Sequence, residues 1–322
     1  MTEDLEPIPV REDMQTIAFY NVENLFDLKN NKAKHDNDFL PKSFKKWTPK
    51  RYQNKLKKLG YAISKIGYQE TGKLPAIVGL AEVENAKVLK DLISGKHLKN
   101  GHYKYVHFES LDERGIDVAL LYNTTVFKVL HSEAFPVVLT DSDGTPDYTR
   151  DVLLVSGVLD GENIHIIVNH WSSRREGQKE TEYKRLASSN KVNAIIKNLL
   201  KTDADAKIMI LGDFNDNPHS KSIKNLVENA GLFNPMETLR SFTRGTVKHR
   251  RQWFIFDQIL VSTNFFKSSK SDFEFFKANI FDERFLKISK GRYKGAPYRT
   301  YAGLKYKGGY SDHFPVYVLL KK

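Results

Sequence analysis

The chain has 322 residues, 40% of them hydrophobic and 28% charged, and its 51 Lys and Arg outweigh 39 Asp and Glu to give a net charge of +12. Those proportions exclude a disordered or fibrous chain and provide apolar mass for a globular core. The longest near-apolar stretches, 75–81 and 314–320, are seven residues long, far short of the roughly 20 a membrane-spanning helix needs.

The sequence contains no cysteine, so disulfides, thiolate catalysis and cysteine-ligated metals are excluded together, and any metal must bind through oxygen or imidazole. The first fourteen residues carry Glu3, Asp4, Glu6, Glu12 and Asp13 and lack the apolar segment of a secretory signal. A flexible segment over 1–14 and a single domain over 15–322 are expected. As written the chain reads as cytoplasmic, or as secreted or periplasmic if a leader has been removed. The basic balance favours polyanionic partners such as nucleic acid, phosphorylated substrates or an acidic membrane face, although surplus lysine also serves solubility.

Strand-like runs of β-branched and aromatic residues begin at 16–21. Thr48-Pro49 then offers an N-cap with proline at the first helical position, and Tyr52, Leu56, Leu59, Ile63 and Ile66 recur at steps of three and four, predicting a helix over 49–66. Further strands are predicted at 76–83, 103–108, 117–122, 152–159 and 163–169. The last two are joined by Asp160-Gly161-Glu162, which favours an antiparallel hairpin. A helix over 180–200, a strand at 207–211, a shorter helix around 220–229 and strands at 258–261 and 315–320 complete the pattern. Helices interspersed with strands, some antiparallel, predict mixed sheets covered by helices. No internal repeat or low-complexity linker marks a domain boundary.

Four strand ends carry chemistry. Leu211-Gly212-Asp213-Phe214-Asn215-Asp216-Asn217-Pro218 crowds carboxylates and amides after an apolar strand, which suits a hard cation or an activated water; an Asx-rich turn is the structural alternative. Gly309-Tyr310-Ser311-Asp312-His313-Phe314-Pro315 offers a carboxylate and an imidazole, or simply a surface pair. Val168-Asn169-His170-Trp171-Ser172-Ser173-Arg174-Arg175 combines an imidazole with two guanidiniums that match phosphate geometry, or caps the following helix. Glu82, at the end of an apolar strand, needs a partner such as a metal if buried, or belongs to the acidic first turn of the next helix. Their shared position at strand ends favours one site over four coincidences.

Together with Phe19-Tyr20-Asn21-Val22-Glu23-Asn24-Leu25-Phe26-Asp27 and Arg114-Gly115-Ile116-Asp117-Val118-Ala119, these blocks make six in an order that resembles the endonuclease/exonuclease/phosphatase superfamily along nearly the whole chain. The resemblance implies an α+β, DNase I-like fold: a four-layer α/β/β/α sandwich of two mixed, largely antiparallel sheets flanked by helices, with the site at one sheet edge. It implies Mg²⁺ or Mn²⁺ held by Glu82 with Asn21 and Asp312. It further implies that Asp213 orients or deprotonates water beside Asn215, that His313 is paired with Asp257, and that His170 lies across the phosphate. Asn169, Arg114, Arg174 and Arg175 are expected to bind substrate. The chain reads Ile255-Phe256-Asp257-Gln258 where inositol polyphosphate 5-phosphatases carry Trp-Cys-Asp-Arg, which argues against that branch.

Segments 42–58, with eight Lys and Arg, and 287–307, with seven, contain no acid. The second is interleaved with tyrosines and leads into Asp312-His313, so its rings are expected to stack on bases or line a sugar–phosphate track; the first reads as a solvated helix face. A third cluster, Arg244, Lys248, Arg250 and Arg251, precedes Asp257. The expected function is a metal-dependent phosphodiesterase, foremost a monomeric nuclease acting on DNA or RNA with no stable membrane association. The alternatives are a phosphatase or lipid phosphodiesterase of the same fold, and a catalytically silent nucleic-acid-binding relative.

Overall fold

Strand β1 (Met14–Leu25) runs through helix α1 (Pro49–Lys65) into β2 (Ile77–Val83), which pairs parallel to β1. Pro49 opens α1, and Tyr52, Leu56, Leu59 and Ile63 bury the face their spacing predicts. Helix α2 (Ala86–Ile93) is capped by Asn85, whose side chain accepts from the amides of Lys87 and Val88. Strands β3 (Tyr103–His107) and β4 (Asp117–Asn123) complete this part of the sheet, antiparallel to each other.

The second sheet begins with β5 (Phe127–Phe135), β6 (Val152–Leu159) and β7 (Glu162–His170). Leu159 pairs with Glu162, so Asp160 and Gly161 alone make the turn, both at positive φ as a type I′ hairpin requires. Helix α3 (Glu182–Thr202) carries the chain to β8 (Ile208–Asp213), parallel to β7, and helix α4 (Lys221–Ala230) follows. Strands β9 (Leu232–Phe233) and β10 (Asp257–Ser262) close this sheet, while β11 (Glu274–Ile280) and β12 (Val316–Lys321) return to the first. The orders are β11-β12-β1-β2-β4-β3 and β9-β10-β8-β7-β6-β5. Each sheet therefore has a parallel pair at its centre and antiparallel partners outside, as mixed, largely antiparallel sheets should. The computed structural model describes residues 8–30, 34–140, 144–266 and 272–322; of the terminal segment expected to be flexible, 1–7 lie outside the described residues.

The layers follow from strand periodicity. Met209 and Leu211 of β8 join the core that includes Phe19, Val78 and Ile259, whereas Ile208 and Ile210 join a second core with Val192, Ile195 and Leu226 of the helices behind. A strand buried on both faces reads as a continuous apolar run, as 208–211 does. The sheets approach closely at Gly79, where an added Cβ would lie 3.1 Å from Leu211 and 3.3 Å from Val168. Strands β5 and β11 have no counterpart among the sequence expectations. Both are half-exposed, and a strand covered on one side only offers little apolar signal.

Candidate active site

The topology delivers the carboxyl ends of both parallel pairs to one edge. Asn21 and Glu23 lie near the end of β1, Glu82 near the end of β2, Asn169 and His170 at the end of β7, and Asp213 at the end of β8. Because β10 runs antiparallel, its first residue, Asp257, pairs directly with Asp213, which in turn pairs with His170. His313 arrives just before β12, bridged to Val247. The β1–β2 and β2–β4 registers slip at this edge, and Glu23, Asn24, Glu82 and Asn215 all adopt positive φ. For residues other than glycine that conformation costs about 1–3 kcal/mol, which surrounding contacts must offset.

Asp213 is the hub. Its Oδ2 accepts from Asn21 Nδ2 at 3.0 Å and its Oδ1 from the Asn215 amide at 2.9 Å. His170 Nε2 lies 3.8 Å and His313 Nε2 3.9 Å from the same Oδ2. Burial pushes the Asp213 carboxyl up to about 6, with the His313 charge pulling down and Asp257 pushing up. Asp257 grips His313 Nδ1 with both oxygens, at 2.8 and 3.1 Å. Burial disfavours the imidazolium, but the charges of Asp257 and Asp213 hold His313 well above the ordinary histidine range. Thr246 Oγ1 accepts from the amides of Phe256 and Asp257 and fixes the start of β10. Ser311 Oγ donates to the Asn21 carbonyl and accepts from the His313 amide, joining the two strands.

The opposite wall is cationic. Arg150, buried, donates to the carbonyls of His170 and Trp171 and to Asp112 Oδ2. Arg114 Nη2 donates to Asn24 Oδ1 at 2.8 Å, and the Asn24 amide donates to Glu82 Oε2 at 2.8 Å. Glu82 Oε1 faces His170 Nε2 at 4.0 Å. Burial, then the guanidiniums of Arg150 and Arg114, the His313 charge and Arg175 drive His170 well below its ordinary value. Two buried polar atoms on this wall, Asn169 Nδ2 and His170 Nδ1, have no hydrogen-bond partner. Buried polar groups are rarely left so unless a ligand or water completes them.

Asn21, Glu82, Asn169, His170, Asp213, Asn215, Asp257, Asp312 and His313 thus meet at one edge, with Arg114 beside them. Arg175 is exposed and reaches the wall through its charge. Arg174 is committed elsewhere: it donates to the Asn215 carbonyl, Gln178 and Asp216, so it supports the Asn215 loop. Asn215 Nδ2 donates to the Trp171 carbonyl at 3.0 Å.

The basic segments differ from their sequence reading. Lys55 is buried, donating to Thr300 Oγ1 and the Tyr310 carbonyl. Arg51 covers the Tyr306 ring at 4.4 Å, and Lys58 lies 4.9 Å from Tyr298 and 4.8 Å from Tyr310. The segments pack on each other through cation–π contacts, so these tyrosine faces are occupied from within. Glu23, Lys55, Arg150 and Arg299 also belong to the site region and were not singled out. Lys55 had a signal, since it lies three residues from Tyr52 and four from Leu59 on the apolar face of α1.

Asp213, Asp257 and His313 bring one potential ligand atom each within 4.8 Å of one another. The carboxylate and amide oxygens at this edge are the kinds of donor that bind hard divalent ions. No helix among the described residues is long and apolar enough to cross a membrane.

The fold is shared with solved structures of low sequence identity. A mannosyl-6-phosphatase of Bacteroides thetaiotaomicron is 19% identical at a TM-score of 0.58, covering 96% of this chain and 100% of that one. The human Nocturnin catalytic domain with bound sulfate is 17% identical at a TM-score of 0.57, covering 97% and 96%. Danio rerio TDP2 complexed with a single-strand DNA product is 16% identical at a TM-score of 0.58, covering 97% and 100%. No curated protein sequence matches significantly. The family model for the endonuclease/exonuclease/phosphatase family matches residues 16–322, and the chain belongs to that family of phosphoester hydrolases.

Proposed function

We propose that the protein is a divalent-metal-dependent phosphodiesterase acting as a nuclease, with attack by water activated at Asp213. The observation that carries this reading is the position of Asp213 Oδ2, 3.8 Å from His170 Nε2 and 3.9 Å from His313 Nε2. A phosphate between these imidazoles would bring its oxygens to Asn169 Nδ2 and to the imidazolium of His313. Asp213, raised to about 6, is ionised at neutral pH yet basic enough to take a proton from an attacking water. Asp257 fixes the His313 ring so that Nε2–H donates to phosphate oxygen. His170, kept neutral, faces the same space without adding repulsion between cations.

The donor set fits a hard ion. Glu82 uses Oε2 for the Asn24 amide, and Asp312 uses Oδ2 for Arg299, so each keeps one oxygen for a metal; the Asn21 amide oxygen, which accepts from the Glu23 amide, has a second lone pair. Mg²⁺ or Mn²⁺ is commonly held by one or two carboxylates and waters, and would supply positive charge to the phosphoryl oxygens. His313 is a poor ligand because its Nδ1 is bonded to Asp257 and its Nε2 carries a proton.

A cavity of about 530 Å³ lined by His219, Glu237, Arg240, Phe242, Arg251 and Trp253 supports a substrate larger than a phosphate group. Trp253 belongs to the hairpin that bridges to His313 through Val247. The decisive experiment incubates the protein with plasmid, single-stranded DNA, RNA, a phosphoinositide panel and phosphorylated sugars, each with Mg²⁺, Mn²⁺ or EDTA. Metal-dependent nicking is expected; headgroup or sugar-phosphate hydrolysis without nicking would overturn the nuclease reading, and cleavage that survives EDTA would overturn metal dependence.

A further inference from the structure

Arg299 stands out because it sits among carboxylates that the catalytic scheme assigns to the metal. Its Nη2 donates to Asp312 Oδ2 at 2.7 Å, and its Nε lies 3.5 Å from Glu23 Oε1. Glu82 also interacts with it electrostatically, and these acids together raise the guanidinium above its ordinary value although burial opposes them. The backbone that carries it is fixed. The Thr300 amide donates to Glu23 Oε2 at 2.6 Å, the Gly309 amide donates to the Arg299 carbonyl at 3.1 Å, and buried Lys55 ties Thr300 to the Tyr310 carbonyl. An added Cβ on Gly309 would lie 1.9 Å from the Tyr298 carbonyl oxygen, so the two arms of this loop are in direct backbone contact. Arg299 is therefore presented by a braced loop.

Counting open oxygens gives the consequence. Glu23 has one oxygen on the Thr300 amide and the other shared by the Tyr301 amide and Arg299. Asp312 keeps only Oδ1, and Glu82 only Oε1, clear of protein hydrogen bonds. Two oxygens from separate carboxylates suffice for one ion completed by waters. A pair of ions roughly 3.5–4 Å apart relies on further carboxylate oxygens to neutralise and bridge them; here those of Glu23 and Asp312 are taken by a guanidinium and backbone amides, those of Asp213 by Asn21 and the Asn215 amide, and those of Asp257 by His313.

We infer that Arg299 is the built-in second cation of this site: its guanidinium takes the place beside Asp312 and Glu23 and limits the site to one divalent ion. The guanidinium delivers fixed positive charge between Asp312 and Glu23. Its side chain is 45% exposed, so it also remains open to a substrate phosphate, whose oxygens it matches in geometry. The inference rests on the metal-dependent reading above, and binding rather than turnover separates the two.

The experiment is a Mn²⁺ titration of the full chain, following free Mn²⁺ by electron paramagnetic resonance, for wild type, Arg299→Met and Arg299→Lys. Wild type is expected to bind one ion. Arg299→Met is expected to bind two, with the first held roughly tenfold more tightly once the neighbouring charge is gone; Arg299→Lys, which keeps the charge, is expected to stay at one. Two ions on wild type would overturn the inference, as would one ion of unchanged affinity on a folded Arg299→Met. If Arg299→Met fails to fold, Arg299→Lys still decides, because a second ion on that variant would also overturn it. No Mn²⁺ bound to wild type would instead remove the metal-dependent reading itself.

Discussion

The two walls of the site hold the same side chain in opposite states. His170 and His313 both face Asp213 Oδ2, at 3.8 and 3.9 Å, yet burial and the neighbouring guanidiniums hold His170 neutral, whereas the charges of Asp257 and Asp213 overcome burial to keep His313 an imidazolium. A carboxylate nearly 4 Å away is common to both. The difference is the second carboxylate, which touches His313 Nδ1 at 2.8 Å, against two guanidiniums behind His170. Direct contact thus decides the charge, and with it whether an imidazole donates a proton to phosphate or stays neutral.

Removing the shared group should have the largest effect. Asp213→Ala is expected to lower kcat by roughly 10⁴-fold, since it removes the proposed proton acceptor, which both walls face; a melting temperature within a few degrees of wild type would show that the fold persists. Near wild-type turnover would break the assignment.

Asp257→Asn should come next, because it removes the charge that distinguishes the walls while keeping the shape. A loss of roughly 10²–10⁴-fold in kcat is expected from the altered charge and tautomer at His313. The nitrogen chemical shifts of His313 in the metal-free protein should move toward those of His170. Two rings that remain distinct in this variant would show that Asp257 is not what separates them.

Arg150 tests the other wall. It is buried and ties Asp112 to the carbonyls of His170 and Trp171. Arg150→Met should destabilise the protein by about 3 kcal/mol by leaving Asp112 without its ion-pair partner, measured by urea unfolding. It should also raise the His170 pKa, as the guanidinium that opposes protonation is lost.

These walls were unequally legible in the sequence. The motifs at Asp213, Asp257 and Asp312-His313 lie on or beside apolar strands, and the strand pattern carries them to one edge. Arg150 stands alone just before β6 with no motif around it, and its function depends on Asp112 and the His170 carbonyl, distant in sequence and near only in the fold. Tyr298, Tyr306 and Tyr310 differ from their sequence reading for a related reason. Ring content is visible in a sequence, but their coverage by Arg51 and Lys58 is a tertiary fact. The antiparallel hairpin and helix α1 were legible because Asp160-Gly161 and Thr48-Pro49 act locally, whereas half-exposed β5 lacks a local signal strong enough to announce itself.

A third histidine owes its state to burial alone. His107 Nε2 lies 3.8 Å from Asp117 Oδ2, with side chains only 3% and 4% exposed. Neither a contacting carboxylate nor a guanidinium decides its state. Burial pushes His107 down to about 4, and burial pushes Asp117 up to about 6 although Ser110 donates to it twice. Both groups are therefore neutral near pH 5, and their linkage to folding runs in opposite directions. The folded state binds fewer protons at His107 than the unfolded chain between about pH 4 and 6.5, so this term loses stability as pH falls through that window. It binds more at Asp117 between 3.8 and about 6, so that term loses stability as pH rises. In the wild type the two slopes largely cancel. Asp117→Asn keeps an acceptor for Ser110 and removes only the second slope, so its unfolding free energy, measured in urea, should fall more steeply than that of wild type on acidification from about pH 6.5 to 4, by roughly 2–3 kcal/mol in total. Parallel slopes would mean that burial does not raise Asp117, and a flat profile in Asp117→Asn would mean that burial does not hold His107 neutral.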